Sequence, residues 1–260
     1  MDRKIAIVTG AGSGIGFETS LRMTAAGIAV LGVGRDGTKL SRLSQGVAQS
    51  ELIDTLAIDL TGRDAPYRVI ERAVARWGHI DFLVNNAGVG KPKPLHETDD
   101  KTLDDFLDIM LRAPFRLVRE ALPHIRPGGA IINVTSTYAV VGGRRGGAYS
   151  AAKAGLTGLT THIACEYGAR GIRSNAVAPG VIRTPMTEDR FEDEKFRRMN
   201  NELTPYPRLG TVEDVAATIF FLCSPGGSFI NGQTIVVDGG WSATKYLSER
   251  ALSSTWTEDG

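Results

Sequence analysis

The sequence predicts a single-domain, doubly wound α/β fold on a seven-stranded parallel sheet. Two observations carry that expectation. Short β-branched, apolar segments alternate with longer helical patterns along the chain, as in a parallel sheet covered on both faces. The first of them, Lys4-Ile5-Ala6-Ile7-Val8, also runs into a glycine-rich turn and then a helical stretch, Phe17 to Ala26, which Gly27 can end as a C-cap.

The remaining strands follow in order. Ile28 to Val33 reads as the second, Leu52 to Ile58 as the third, Ile80 to Val84 as the fourth, Ala130 to Val134 as the fifth, Ser174 to Ala178 as the sixth and Thr234 to Val237 as the seventh. Each is a run of four to seven largely apolar residues, short for a helix and suited to a buried strand. Helical patterns lie between them, including Ala65–Trp77, Leu103–Leu122, Tyr149–Tyr167 and Val212–Leu222. Right-handed crossovers place a ligand crevice at the carboxyl ends of such strands. No internal repeat or low-complexity linker breaks the pattern. One catalytic domain is expected over residues 1–244. A charged, proline-punctuated segment, 183–210, is expected to act as a lid. Residues 245–260 read as a polar tail, or as an arm packing on a neighbouring subunit; Tyr246, Leu247, Leu252 and Trp256 favour the arm.

The turn reads Thr9-Gly10-Ala11-Gly12-Ser13-Gly14-Ile15-Gly16. Strand, glycine turn and helix form the context of the Rossmann fingerprint. Glycines let the backbone approach a pyrophosphate, and the helix N-terminus offers free N–H groups and a positive dipole end. Farther along, Tyr149 and Lys153 stand one helical turn apart, and Ser136 lies thirteen residues before the tyrosine. A phenol has a pKa of about 10, and a fixed ammonium beside it favours the phenolate, which makes it usable as an acid or base near neutrality.

Composition excludes several classes. The chain has 260 residues, 42% hydrophobic, and 30 basic against 29 acidic residues give a net charge of +1. That balance supports neither nucleic-acid nor anionic-membrane binding. Cys165 and Cys223 belong to no metal-spaced set and the four histidines are scattered, so no metal site is expected. The N-terminus runs straight into a strand and no apolar stretch reaches the ~20 residues that span a bilayer, so a cytoplasmic protein is expected.

Four motifs in order resemble the classical short-chain dehydrogenase/reductase family: the glycine turn, Asn85-Asn86-Ala87-Gly88, the Ser136/Tyr149/Lys153 set, and Pro179-Gly180-Val181-Ile182-Arg183-Thr184. The resemblance spans Lys4 to about Trp241. It implies an NAD(P)(H)-dependent oxidoreductase interconverting a secondary alcohol and a ketone. Tyr149 would be the general acid/base, Lys153 would lower its pKa and bind the nicotinamide ribose, and Ser136 would hold the substrate oxygen. It also implies a cofactor site formed by Gly10, Ser13, Gly14, Ile15, Gly16, Asp59, Leu60, Asn86, Ala87, Gly88, Pro179, Gly180, Ile182 and Thr184, along with Tyr149 and Lys153. Where NAD-preferring members carry an acid after the second strand, this chain has Gly34 followed by Arg35. A guanidinium there can pair with a 2′-phosphate, which favours NADP over NAD. Asp36 could instead serve the ribose or neutralise Arg35.

One position departs from the family pattern. Met110 stands where many members carry an asparagine that bends the helix and holds a water linked to the lysine, and methionine is a weak acceptor with no donor. A nucleotide-binding regulatory or scaffold protein is therefore the alternative reading. An epimerase or dehydratase would need a longer C-terminal domain than this chain has. The substrate pocket is expected between Thr137–Arg145, Gly90–His96 and Arg183–Leu209, for a small carbonyl or alcohol. The resemblance also implies a homo-oligomer, a tetramer or dimer, with Leu103–Leu122 and Tyr149–Tyr167 as interface helices.

Overall fold

The computed structural model describes residues 3–90 and 93–248. Strands β1 (Ile5–Thr9), β2 (Ala29–Gly34), β3 (Ile53–Ala57), β4 (Ile80–Asn85), β5 (Ile125–Val134), β6 (Arg173–Pro179) and β7 (Thr234–Val237) form one sheet in the order β3-β2-β1-β4-β5-β6-β7. Every neighbouring pair is parallel. The order reverses between β1 and β4, which is where a doubly wound sheet opens its crevice.

Alternate residues of each strand feed opposite layers, as the pleat requires. Ala6 and Val8 join the layer containing Val215, Ile219 and Leu222. Ile7 joins the layer containing Val69, Ile70, Leu117 and Ile163. Helices α1 (Gly14–Ala25), α2 (Gly37–Gly46) and α9 (Val212–Cys223) supply the first layer, and α3 (Ala65–Trp77), α5 (Ala113–Ala121) and α6 (Gly147–Tyr167) the second.

Three local readings change. Helix α2 was not expected; Asp36 caps it, accepting from Thr38 N at 3.0 Å and Lys39 N at 3.2 Å. The helix expected over Leu103–Leu122 is divided into α4 (Asp100–Leu107), a π turn over Asp108–Arg112, and α5. Pro114 has no N–H to donate to the Met110 carbonyl four residues back, and its ring crowds that carbonyl, so the helix widens there. The segment 183–210 holds two helices, α7 (Glu188–Phe191) and α8 (Glu194–Leu203). Of the expected arm, Leu252 and Trp256 lie outside the described residues, as do Lys91 and Pro92 of the expected pocket rim. Among the described residues no helix is long and apolar enough to cross a membrane.

Candidate active site

The carboxyl ends of β1 and β4 are tied together at the reversal point. The Thr9 hydroxyl donates to the Val84 carbonyl at 3.2 Å and accepts from Asn86 N and Ala87 N at 2.9 and 3.0 Å. The Asn86 amide donates to the Thr9 carbonyl at 2.9 Å. Gly10 follows with φ +68°, and a Cβ there would come within 2.7 Å of the Asn86 amide. A Cβ on Gly16 would strike the Gly10 carbonyl, so only glycine lets the helix start this close to the strand. Ser13, the N-cap of α1, is extended and makes no capping hydrogen bond. The first N–H groups of α1 therefore keep their capacity for an anion. That cradle fits the pyrophosphate of a dinucleotide.

At the ends of β2 and β3, Arg35 and Asp59 are both exposed and close enough to interact electrostatically. Asp59 accepts from Thr61 N and Oγ1 at 3.0 and 2.8 Å, and these bonds, with the Arg35 charge behind them, hold its carboxyl below the usual range. Leu60 beside it is buried. Asp36 is engaged by its helix cap and pairs with Lys39 at 3.8 Å, not with Arg35. Lys39 itself lies over the glycine turn: a Cβ on Gly12 would sit 3.1 Å from the Lys39 Cβ. Lys39 was missed in the sequence because α2 was missed.

The Ser136 set gathers past the end of β5. Ser136 is extended and buried, and its hydroxyl accepts from Tyr138 N at 3.1 Å. Tyr149, near the start of α6, is flanked edge-on by Phe106 at 6.2 Å and by Tyr138 at 6.4 Å between ring centres. Burial raises the Tyr149 pKa; a hydrogen bond from the Ser136 side chain and the charge of Arg190 pull it back. Lys153, 4% exposed, donates to the Val134 carbonyl at 2.7 Å, and burial lowers its pKa from 10.5 to about 8. Its Nζ lies 5.9 Å from the Tyr149 ring centre. The expectation that the lysine makes the phenol acidic is thus not what this arrangement does: the ammonium is turned to Val134, and burial of the phenol outweighs its neighbours. Asn133, one residue before Val134, bridges Asn85 and Thr160 through two 2.8 Å bonds and locks β4, β5 and α6 in register.

The stretch after β6 returns to the glycine turn. Gly180 N donates to the Val237 carbonyl at 3.0 Å, and Ile182 pairs with Gly210. The Thr187 hydroxyl donates to the Ile182 carbonyl at 2.7 Å and lies 3.2 Å from the Thr184 hydroxyl. A Cβ on Gly14 would touch the Thr184 methyl at 3.4 Å, and one on Gly90 would meet the Met186 side chain at 2.7 Å. The segment thus rests on the glycine turn and on the loop after β4. Met110, 1% exposed, faces Gly88, whose added Cβ would lie 3.5 Å from its sulfur. All the sequence-expected residues therefore fall along the carboxyl edge of the sheet, with Pro179 at the end of β6, Ile15 in the first turn of α1, and Ala87 and Gly88 just past β4.

Comparisons with known proteins agree with this architecture. Residues 10–242 match the family model described as enoyl-(acyl carrier protein) reductase. The chain is 35% identical over 246 residues to 3-oxoacyl-(acyl-carrier-protein) reductase of Thermotoga maritima, covering 92% of this chain and 98% of that one. Among solved structures, 3-ketoacyl-(acyl-carrier-protein) reductase from Brucella melitensis, complexed with NADH, superposes with a TM-score of 0.85 at 30% identity, covering 93% of this chain and 99% of the other. A blue fluorescent protein from a metagenomic library, in complex with NADPH, superposes with a TM-score of 0.85 at 31% identity, covering 93% and 99%. The chain belongs to the short-chain dehydrogenase/reductase family of NAD(P)-dependent oxidoreductases.

Proposed function

We propose that this oxidoreductase interconverts a secondary alcohol and a ketone, with Tyr149 as general acid/base. The observation that carries the reading is the gathering of Ser136, Tyr149 and a buried lysine past the end of β5: Tyr138 N donates to the Ser136 hydroxyl at 3.1 Å, the Tyr138 ring packs edge-on to Tyr149 at 6.4 Å, and Lys153 Nζ lies 5.9 Å from the Tyr149 ring centre. Ser136 and Tyr149 both offer a hydroxyl to one substrate oxygen. In the reducing direction the phenol gives its proton to that oxygen; in the oxidising direction it takes one. Because burial keeps the phenol protonated, it is set up as a donor, and Ser136 steadies negative charge on the oxygen. The bound nicotinamide supplies or accepts the hydride. Lys153 holds a cation beneath the tyrosine, on the Val134 carbonyl, from where it can meet the nicotinamide ribose. Gly10 to Gly16 would hold the pyrophosphate, Asp59 and Leu60 the adenine end, Asn86 to Gly88 the middle, and Pro179, Gly180, Ile182 and Thr184 the carboxamide end.

We favour NADP as the cofactor. Asp36 is engaged as a helix cap, Arg35 is exposed with the Asp59 charge acting on it, and Lys39 stands beside Gly12. Arg35 and Lys39, the latter loosely paired with Asp36 at 3.8 Å, give two cations at this end of the crevice, which suits a 2′-phosphate. The chain is proposed to work as one catalytic domain over 1–244, with 183–210 closing over the site, and as a homo-oligomer. The partly exposed concavity lined by Leu111, Phe115, Gly155, Gly158 and Leu159, and bordered by Arg112, Arg116, Arg119 and His162, lies between α6 and the π turn with α5 and supports that assembly.

Fluorescence titration with NADPH and NADH, followed by an absorbance screen of ketones and alcohols, tests the proposal. Turnover of any carbonyl supports it. Tight nucleotide binding with no turnover across a broad screen favours the regulatory reading, for which Met110 is the motivating residue.

A further inference from the structure

The loops after β4, β5 and β6 meet around the Ser136 set, and large apolar side chains stand exposed there. In the sheet β5 lies between β4 and β6, and Ser136 follows its last residues. Met186, on the stretch after β6, reaches the loop after β4: a Cβ on Gly90 would come within 2.7 Å of its Cγ and 3.2 Å of its sulfur. That contact crosses the end of β5, so Met186 roofs the site. The Tyr138 ring forms a wall, edge-on to Tyr149 at 6.4 Å and backed by its own loop, where a Cβ on Gly143 would strike it at 2.6 Å. Leu95, from the β4 side, packs on the first residue of α6: a Cβ on Gly147 would lie 3.0 Å from its Cδ1. Met186, Leu95 and Val140, two residues past Tyr138, are each more than half exposed. Apolar side chains grouped in water around an opening mark a binding surface.

Polar side chains on these loops are taken up locally. The Thr184 and Thr187 hydroxyls lie 3.2 Å apart and Thr187 donates to the Ile182 carbonyl; the Thr98 hydroxyl donates to the Pro94 carbonyl at 2.9 Å; His96 lies 3.6 Å from the Glu97 carboxylate. A polyhydroxylated substrate would leave its own groups unpaired against Met186 and Leu95, at a cost per group comparable to a lost hydrogen bond. We infer that the enzyme acts on an uncharged ketone or alcohol with an apolar body, an alkyl chain or ring, which Met186 covers while Ser136 and Tyr149 hold the oxygen. Each methylene taken from water against such a wall strengthens binding. Arg144 and Arg145, on the Tyr138 loop, are exposed, so a charged analogue enters the test. The inference rests on the oxidoreductase reading of the same site.

The test is a chain-length series, 2-butanone to 2-octanone, with 5-oxohexanoate as the charged counterpart of 2-heptanone. Each is reduced by wild type, M186Q and M186L with whichever of NADPH and NADH the titration shows bound. The readout is the rise of kcat/KM per added methylene, which cancels any uniform effect of a substitution on the chemical step. Wild type should rise about threefold per methylene and prefer 2-heptanone to 5-oxohexanoate by about tenfold or more. Glutamine keeps the length of methionine and should cut the rise below about twofold, whereas leucine should keep it. A flat series, a preference for 5-oxohexanoate, or an equal rise in M186Q and wild type overturns the assignment. If wild type reduces none of these ketones, calorimetric titration of 2-octanone onto the cofactor complex separates the two readings. Binding that M186Q weakens at least about threefold sustains the apolar site and removes the catalytic reading; absent or equal binding overturns the apolar site.

Discussion

Replacing Lys153 with methionine is expected to make the protein more stable and inactive. Lys153 is 4% exposed and its single hydrogen bond goes to the Val134 carbonyl at 2.7 Å. Burial lowers its pKa from 10.5 to about 8, a difference of roughly 2.5 pH units. At about 1.36 kcal/mol per pH unit, the folded chain carries the protonated ammonium at a cost of about 3 kcal/mol. Below the folded pKa both folded and unfolded chains hold the proton, and the whole cost is present. Between about 8 and 10.5 the folded chain releases it first. The unfolded chain then binds more protons, so stability rises with pH. Methionine has a similar length and no charge. It removes the cost but leaves the Val134 carbonyl without its donor, an offset of about 1–2 kcal/mol. The net gain at pH ~7 is about 1–2 kcal/mol, or several degrees in Tm for a chain of this size.

The assay is thermal or urea unfolding of wild type and K153M without cofactor, at matched protein concentration, from about pH 7 to pH 10. Other titrating groups are common to both proteins, so the difference isolates the lysine. The gap should be largest near pH 7 and close as the pH passes about 8. A variant less stable than wild type at pH ~7, or a gap that does not change with pH, would refute the reasoning. Loss of turnover in the stabilised variant would show that the site holds a strained cation for function.

The other substitutions separate roles. Tyr149→Phe should lower kcat by about 10²–10⁴ while cofactor titrations stay near wild type; retained turnover would remove Tyr149 as acid/base. Arg35→Ala should weaken NADPH binding about tenfold or more and NADH binding little, whereas equal losses would mean that Arg35 does not read a 2′-phosphate. Asp36→Ala should cost about 1 kcal/mol in denaturant unfolding through the lost cap of α2, with NADH affinity unchanged; a selective loss of NADH affinity would return Asp36 to the ribose. Met110→Asn should lower Tm by burying an amide in a packed apolar layer without raising kcat, since Pro114 already opens the helix at that point. A kcat increase of about tenfold would show that the native relay is incomplete.

What the sequence displayed and what it hid divide along physical lines. Strand positions were legible because a parallel strand buried on both faces is a run of apolar residues whatever surrounds it. The glycine turn was legible because close backbone approach admits no other residue at Gly10 or Gly16. Helix α2 was hidden because only Leu40 and Leu43 are buried in it, and its one clear signal, the cap Asp36, also matched a ligand role. The π turn did have a signal in Pro114, which the apolar periodicity of the surrounding helix masked. Arg190 had none. Its neighbours in the chain are acidic, and a local reading pairs them with it. In the folded segment Phe191 is turned inward and Glu188 is taken by Arg183, so Arg190 stays exposed with no ion pair among the described residues. The chemistry shared with the family is therefore written in local spacing, whereas the pairing of the arginines in 183–210 is written in the tertiary structure.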